Sequence, residues 1–96
     1  MRQDESGAAA EYKRAIQAVL AGRAKDYRAS RGISQENMAE RLRISARSYS
    51  DLERGVCCFS AVSLLFFLLL LPEGQVTGLL EEIRVLVEGE DKNVVA

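Results

Sequence analysis

The sequence has no histidine and no tryptophan, a single proline, and only two cysteines, which are adjacent at positions 57 and 58. Without histidine or a cysteine pair at ligand spacing, it predicts no zinc site. Adjacent cysteines cannot staple distant parts of one chain. No nucleophile is paired with a base, and no phosphate-binding loop is present, so the sequence predicts neither an enzyme nor a bound cofactor.

A signal peptide is also missing from the first residues, MRQDESGAAAEYK, which carry acidic side chains where a basic segment and then an apolar one are needed. A reducing, cytoplasmic setting is therefore expected. The 96 residues form one domain, and 48% hydrophobic residues with one proline are typical of a folded helical protein.

The net charge of −1 conceals an asymmetry between the two halves. Residues 1–55 hold 11 Lys and Arg against 8 Asp and Glu, a balance of +3. Residues 56–96 hold 2 against 6, a balance of −4. An anionic partner is therefore expected to meet the first half of the chain.

Local patterns divide the first half into three helices. Residues 8–30 contain no proline and place apolar side chains on one helical face, which predicts one long helix ending at Arg31-Gly32. In the following segment, 34–55, Ser34 and Ser45 are suitable N-caps for two short helices. The second of these helices stops at Gly55, which adopts the left-handed conformation readily. Two short helices joined by a tight turn describe a helix-turn-helix motif.

A strongly apolar segment follows, and Ser60 and Pro72 delimit a fourth helix over residues 60–71. The segment is shorter than the ~20 residues of a membrane-spanning helix, so no membrane span is expected. A helix that is apolar all round has to bury more than one face. The face expected to complete the core consists of Val62, Leu65, Phe66 and Leu69. The opposite face, which needs another cover, consists of Leu64, Phe67, Leu68 and Leu71.

A last helix over residues 76–88 carries an apolar stripe that covers part of that second face, and a second subunit is expected to cover the remainder. The predicted dimer interface comprises Leu64, Phe67, Leu68, Leu71, Leu79, Ile83 and Leu86. Residues 1–7 and 89–96 are expected to be flexible, which leaves residues 8–88 as the single folded domain.

The segment from Leu20 to Gly55 reads L-x-x-R-x-x-x-x-R-x-x-R-G-I-S-Q-E-x-x-A-E-x-L-x-I-S-x-x-x-x-x-x-L-E-R-G. It resembles the lambdoid phage repressor/Cro (Xre-type) helix-turn-helix family. The resemblance implies a compact, five-helix, all-α DNA-binding domain with a long first helix. It also implies a transcriptional regulator, in most relatives a repressor, that binds a palindromic operator on double-stranded DNA as a homodimer.

The resemblance assigns roles by position, because the second motif helix of the family lies in the major groove. The base-reading residues carried over are Ala46, Arg47, Ser50 and Asp51. The phosphate contacts carried over are Gln35, Ser48, Arg54 and Arg43. Arg28 and Glu53 match a structural pair that joins the first helix to the end of the recognition helix.

Alternatives accompany several of these assignments. Arg47 is either a guanine reader or a solvated surface arginine, and Asp51 either accepts from a cytosine or repels phosphates. Tyr49 is expected in the core. Cys57 and Cys58 are expected to be small buried residues, with a redox switch as the alternative.

The sequence also departs from the family. Arg43 stands where the turn usually has glycine, so a non-glycine residue is expected near the left-handed region. Ala46 removes a polar reader, and the loop VCCF after Gly55 lacks the cations that many relatives place there. Affinity per monomer is therefore expected to be low. A second functional hypothesis is a protein-interaction module on the same fold, an antitoxin or anti-repressor that binds a partner protein through its apolar helix.

Overall fold

A computed structural model describes residues 3–95, with side chains described for residues 10–88. The chain forms five helices: α1 (Gln3–Arg31), α2 (Gln35–Leu42), α3 (Ala46–Glu53), α4 (Ala61–Leu70) and α5 (Glu73–Val95). No strand occurs between residues 3 and 95. The all-α prediction, with five helices and a long first one, is confirmed.

The three middle helices begin with the same device, a serine N-cap. The hydroxyl oxygens of Ser34, Ser45 and Ser60 each accept a hydrogen bond from the backbone N–H three residues later. At α4 the bond is reciprocated, because the Ser63 hydroxyl accepts from the Ser60 N–H and completes a capping box. Each cap satisfies one of the N–H groups that a helix start leaves without a partner.

Left-handed residues end the first three helices. Gly32 follows α1 with φ +65° and Gly55 follows α3 with φ +76°, conformations that glycine adopts without strain. Between α2 and α3 the same role falls to Arg43, with φ 64° and ψ 39°. The turn therefore has a non-glycine residue in the left-handed region, as its sequence predicted.

The core lies where α1, the two motif helices α2 and α3, α4 and the start of α5 meet. Its members have in common that they are apolar and at most 8% exposed: Leu20, Ala24, Tyr27, Met38, Ala39, Leu42, Tyr49, Leu52, Phe67, Leu71 and Leu79. Helix α2 packs on both α3 and α4, and α1 packs on α3 and α5. The ring of Phe67 stacks on that of Phe59 with centroids 5.3 Å apart, which fixes the loop before α4 on the core.

The orientation predicted for α4 is wrong. Phe67 and Leu71 are buried in the core, and Leu64 and Leu68 pack against it from the same side. Val62, Leu65 and Leu69, expected in the core, are instead 63%, 60% and 80% exposed. Every position of this helix is apolar or a small serine, so the sequence pattern does not indicate which face of the helix is buried. Packing against α2 decides which face turns inward.

The predicted dimer interface changes as a consequence. Phe67, Leu71 and Leu79 are buried within one copy, and Leu64, Leu68 and Ile83 are partly buried against the same core. Phe67, Leu71 and Leu79 are thus core residues of one copy, and the role of the remaining side chains in a dimer stays a prediction. Leu86 lies on α5, half-buried.

The two terminal helices are longer than the predicted helices over 8–30 and 76–88. Helix α1 begins at Gln3 and α5 runs from Glu73 to Val95, and the flexibility expected at 1–7 and 89–96 stays a prediction. No proline interrupts either segment, so helical hydrogen bonding continues through it. Helix α5 also starts before residue 76, because the Pro72 carbonyl accepts the first helical bonds. Met1, Arg2 and Ala96 lie outside the described residues.

The expectation of two buried cysteines is also wrong. Cys57 is half-buried and Cys58 is exposed, and both are free thiols. The loop that carries them lies at the surface between α3 and α4, as connecting segments usually do.

Candidate nucleic-acid interface

Helix α3 presents a polar face because its two large apolar side chains point the other way. Tyr49 and Leu52 are buried against α1 and α2. With 3.6 residues per turn, positions 47, 50, 51 and 54 then lie on the opposite side of the helix. Three of the four predicted base readers, Arg47, Ser50 and Asp51, therefore share one face with the predicted phosphate contact Arg54.

Arg47 is the free cation of this face. Its side chain is exposed, and no hydrogen bond or ion pair joins it to another residue among the side chains of residues 10–88. Arg47 is the second residue of α3, in the first turn after the Ser45 cap. A guanidinium in that position extends away from the domain with all its donors available.

Asp51 and Arg54, by contrast, are engaged with each other. The Arg54 Nη2 donates to the Asp51 carboxylate one turn away along α3. The arginine side chain is 64% exposed and the aspartate 28% exposed. In this arrangement the negative charge of Asp51, which alone would repel phosphates, is neutralised by its neighbour.

Glu53 organises the buried side of the site. Its carboxylate accepts hydrogen bonds from Arg28 of α1, Tyr49 of α3 and Gln35 of α2. Arg28 binds through both Nε and Nη2, and its Nη1 donates to the Ile33 carbonyl at 3.2 Å. The expected pair Arg28–Glu53 is thus present, with a glutamate side chain that is only 5% exposed. One carboxylate ties three helices together.

This network fixes the protonation of its members. Burial alone would raise the pKa of Glu53, but the hydrogen bonds from Arg28, Tyr49 and Gln35 outweigh burial and lower that pKa below its ordinary value. The hydrogen bond to Glu53 raises the pKa of Arg28. Burial, aided by the bond to Glu53, raises the pKa of Tyr49. The network therefore holds a carboxylate, a guanidinium and a neutral phenol.

Gln35 takes part in this network rather than standing free. Its Nε2 donates to Glu53 Oε1 at 2.9 Å. A glutamine amide has two N–H donors, so one remains for the phosphate contact expected at this position. The bond to Glu53 orients the amide at the first residue of α2, where the backbone N–H groups favour an anion.

The turn between α2 and α3 carries the second expected phosphate cation. Arg43 is exposed, and its guanidinium lies over the ring of Phe66 on α4, with the Cζ atom 4.9 Å from the ring centroid. Such a cation–π contact holds the side chain while leaving its N–H groups accessible. Ser48 and Ala46, the other residues carried over, are exposed at the start of α3. The Ser48 hydroxyl accepts from the Ser45 hydroxyl at 3.0 Å.

The loop after α3 braces the end of α3, a function that the sequence did not indicate. The Asp51 carbonyl accepts from the backbone N–H of Val56 at 2.9 Å and of Cys57 at 3.4 Å. From α1, the Gln17 side chain donates to the Gly55 carbonyl at 3.3 Å. The cation-poor segment 55–58 thus closes the end of α3. Burial raises the pKa of the Cys57 thiol, and the charge of Asp51 adds to the effect.

Several contacts of the site were not predicted from the sequence, among them Gln35 with Glu53 and Arg54 with Asp51, and two others differ in how far they could have been found. The Tyr49 hydroxyl donates to Glu53 at 2.6 Å, and the spacing of four residues on one helix is a signal that can reveal such a pair. The contact of Arg43 with Phe66 joins residues 23 positions apart, one in the turn after α2 and the other on α4. No local sequence pattern predicts this contact.

Comparison with known proteins agrees with this geometry. A family model described as a helix-turn-helix domain matches residues 19–62. The match runs from the middle of α1 through both motif helices to the first residues of α4. No curated protein and no solved structure matches the chain. Residues 19–62 are therefore similar to a helix-turn-helix domain, a DNA-binding fold, while membership of the lambdoid repressor/Cro family stays a prediction.

None of the helices between residues 3 and 95 combines the length and the apolar character that crossing a membrane requires. The expectation that no helix spans a membrane agrees with this finding.

Proposed function

From the helix-turn-helix domain at residues 19–62, we propose that the chain is a sequence-specific DNA-binding transcriptional regulator, a repressor of the lambdoid Cro type, that acts in the cytoplasm. Helix α3 enters the major groove. Arg47 reads a base edge there, with Ser50, Asp51 and Ala46 beside it. Arg43, Arg54, Gln35 and Ser48 contact the phosphates on either side.

The observation that carries the proposal is the freedom of Arg47. Other arginines near the motif are engaged: Arg28 with Glu53, Arg54 with Asp51, and Arg41 with Asn37. Unlike these three, Arg47 on the outward face of α3 has no hydrogen-bond or ion-pair partner among the described side chains. A guanidinium at the start of a recognition helix has the geometry for a bidentate contact with guanine, worth roughly 1–3 kcal/mol of discrimination.

We further propose that the chain binds its operator as a homodimer. On the outward face of α3, one copy offers Arg47 as the single arginine without a partner among the described side chains, so its affinity alone is low. Two copies related by a two-fold axis present two recognition helices about 34 Å apart, the repeat of B-form DNA. The operator is then palindromic.

Selection from a random pool of duplex DNA, followed by binding titrations on the selected site, tests the proposal. We expect an enriched palindrome with one guanine per half-site that Arg47 reads. Arg47→Ala lowers affinity for that site roughly 10-fold or more per half-site and equalises affinity across all bases at that position. The control replaces Arg84, an exposed arginine on α5, by alanine and leaves both the affinity and the base preference unchanged.

An unaltered base preference in Arg47→Ala would show that this residue is a solvated surface arginine. Absence of any enriched site would reject sequence-specific DNA binding. The second hypothesis, a protein-interaction module, is not favoured by the helix-turn-helix match. That hypothesis would be supported if the chain selects no DNA and stays in solution only in complex with another protein.

A further inference from the structure

The two free cysteines lie in a surface groove together with two cations of α1. The groove is open to water and has a volume of about 480 Å³, within the roughly 300–1,000 Å³ of small-molecule sites. The Gln17 side chain donates to the Gly55 carbonyl and so joins the two walls. We call it the thiol groove, and it is lined chiefly by Lys13, Arg14 and Gln17 of α1 and by Val56, Cys57 and Cys58 of the loop after α3.

The charge of the thiol groove is positive. Lys13 and Arg14 are exposed, and neither has a hydrogen-bond or ion-pair partner among the side chains of residues 10–88. Two other cations of α1, Arg23 and Arg28, are by contrast paired with glutamates. No acidic residue lines the groove in the part of the chain that the structure describes. A small ligand with carboxylates is therefore attracted to this site.

The two thiols of the groove differ in their readiness to react. Cys57 is half-buried, and its Sγ atom lies 4.0 Å from the Ser48 carbonyl oxygen. Burial raises the pKa of this thiol, and the charge of Asp51 adds to the effect. A thiol that keeps its proton is a poor nucleophile. Cys58 is exposed and is the thiol that a reagent in the groove reaches.

From the groove, its charge and the exposed thiol, we infer that Cys58 is a site of reversible thiol modification. It forms a mixed disulfide with a small thiol compound that carries carboxylates, a class represented by glutathione. Lys13 and Arg14 bind the carboxylates of the incoming disulfide and hold its sulfur atoms near Cys58. The site lies outside the proposed DNA contacts, and the inference goes beyond the proposed function.

The reaction is a thiol–disulfide exchange. The Cys58 thiolate attacks one sulfur of glutathione disulfide, a new sulfur–sulfur bond forms, and the original one breaks. The other half of the reagent leaves with the electron pair as a thiolate and takes up the proton that Cys58 has lost. Cys58 is thereby oxidised and the departing glutathione is reduced, so the added disulfide is the only oxidant required.

The neighbouring cysteine is badly placed to reverse this reaction. Release of glutathione by Cys57 would require a disulfide between adjacent residues, and the peptide bond that joins them is trans. Consecutive Cα atoms across a trans peptide are about 3.8 Å apart, whereas disulfides usually join Cα atoms about 4.4–6.8 Å apart. The mixed disulfide therefore persists until a thiol from solution reduces it.

The modification lies beside the segment that closes α3. The backbone N–H groups of Val56 and Cys57 donate to the Asp51 carbonyl, and Cys58 follows directly. Glutathione at this position adds bulk and carboxylates, which repel DNA phosphates. We expect modified protein to lose affinity for its operator and to regain it after reduction, a step that rests on the proposed function.

Mass spectrometry of the reduced full chain after incubation with glutathione disulfide tests the site. We expect one glutathione per chain, located at Cys58 by peptide mapping and removed by dithiothreitol. Cys57→Ser retains the modification and Cys58→Ser abolishes it. Modification at Cys57, or an internal disulfide without added mass, overturns the inference.

A comparison of two reagents tests the role of the cations. Replacing Lys13 and Arg14 together by alanine is expected to slow the reaction with glutathione disulfide roughly 10-fold, and to leave the reaction with the uncharged 2-hydroxyethyl disulfide unchanged. The matched control replaces Lys25 and Arg84, two exposed cations outside the groove, and leaves both rates unchanged. Circular dichroism shows that the variants fold. Equal rates for the groove variant and the control with glutathione disulfide overturn the inference.

The mass readout is independent of DNA, so the two proposals fail separately. A chain that is modified at Cys58 with help from the cations but selects no DNA sequence supports this inference and rejects the proposed function. A chain that selects DNA but forms no mixed disulfide does the reverse. Unchanged operator affinity after complete modification overturns the step from the thiol groove to DNA binding.

Discussion

Glu53 is the residue on which the candidate site depends most. It accepts hydrogen bonds from α1, α2 and α3 while its side chain is 5% exposed. A buried carboxylate stabilises a fold only when its partners compensate for lost hydration. Arg28 and Tyr49 supply that compensation, which is why the pKa of Glu53 is lowered in spite of its burial.

Replacing Glu53 by glutamine removes the charge at nearly constant size. We expect Glu53→Gln to lower the free energy of unfolding by about 1–3 kcal/mol near neutral pH, because buried donors lose their charged acceptor. Urea unfolding monitored by circular dichroism measures the change. Glu40→Gln, an exposed glutamate on α2, serves as control and is expected to stay within about 0.5 kcal/mol of wild type.

The difference in unfolding free energy between wild type and Glu53→Gln has a defined pH dependence. A carboxyl whose pKa is lowered on folding contributes stability above its unfolded-state pKa, about 4.3 for glutamate, and loses it as the pH falls through the folded-state pKa. The difference between wild type and Glu53→Gln is therefore constant around neutral pH and shrinks below about pH 4.3. A difference that persists undiminished at lower pH would contradict the lowered pKa.

At the scale of elements, the helices owe their bounds to local capping and their orientation to packing. Gly22 lies inside α1, exposed, and a Cβ there would meet no atom within 4 Å. Gly55 also has open space around it, but its φ of +76° belongs to the left-handed region. The two glycines thus differ in backbone conformation alone.

Alanine substitution at these two positions is expected to have opposite effects. Gly22→Ala raises the free energy of unfolding by about 1 kcal/mol, because alanine restricts the unfolded chain and favours the helix. Gly55→Ala lowers it by roughly 1–2 kcal/mol through left-handed strain. Thermal melts of the two variants beside wild type measure both. Two shifts of the same sign would show that α1 is not a regular helix at Gly22 or that the turn after α3 relaxes.

At the scale of the whole molecule, charge is distributed by half. Residues 1–55 carry +3 and hold both motif helices, while residues 56–96 carry −4 and hold α4 and α5. An acidic second half directs DNA toward the motif side. The motif nevertheless offers only two candidate phosphate cations, Arg43 and Arg54, so electrostatic affinity is modest.

This count sets the expected salt dependence of operator binding. Two arginines per copy make about four phosphate contacts in a dimer, and at about 0.9 counterion per contact the logarithm of the association constant falls with a slope near −4 against the logarithm of salt concentration. Arg54→Ala removes one contact per copy and brings the slope to about −2. Fluorescence anisotropy with a labelled operator measures the slopes.

Arg84→Ala again provides the control, because its exposed guanidinium lies on α5 and pairs with Glu81. Its slope is expected to match wild type. If Arg54→Ala has the same salt slope as wild type, the bond from Arg54 to Asp51 persists on DNA. In that case Arg54 is not a phosphate contact.

The sequence by itself determined the helices of the motif and their ends. Ser34, Ser45 and Ser60 cap helices whose first N–H groups lie within three residues, and Gly55 and Pro72 stop helices by their own backbone chemistry. The partners in such interactions are only a few positions apart in the sequence, so a single short segment is enough to predict them. The left-handed turn at Arg43 was predicted instead from the resemblance, because relatives usually have glycine at that position.

Only the tertiary structure decided which face of α4 turns inward and what Gln35 binds. Phe67 and Leu65 are equally apolar, and no period distinguishes them; burial against α2 and the core selects Phe67. Gln35 and Glu53 lie 18 positions apart and meet only because α2 and α3 pack together. Both outcomes depend on contacts between elements, and a pattern that repeats within one element contains no information about them.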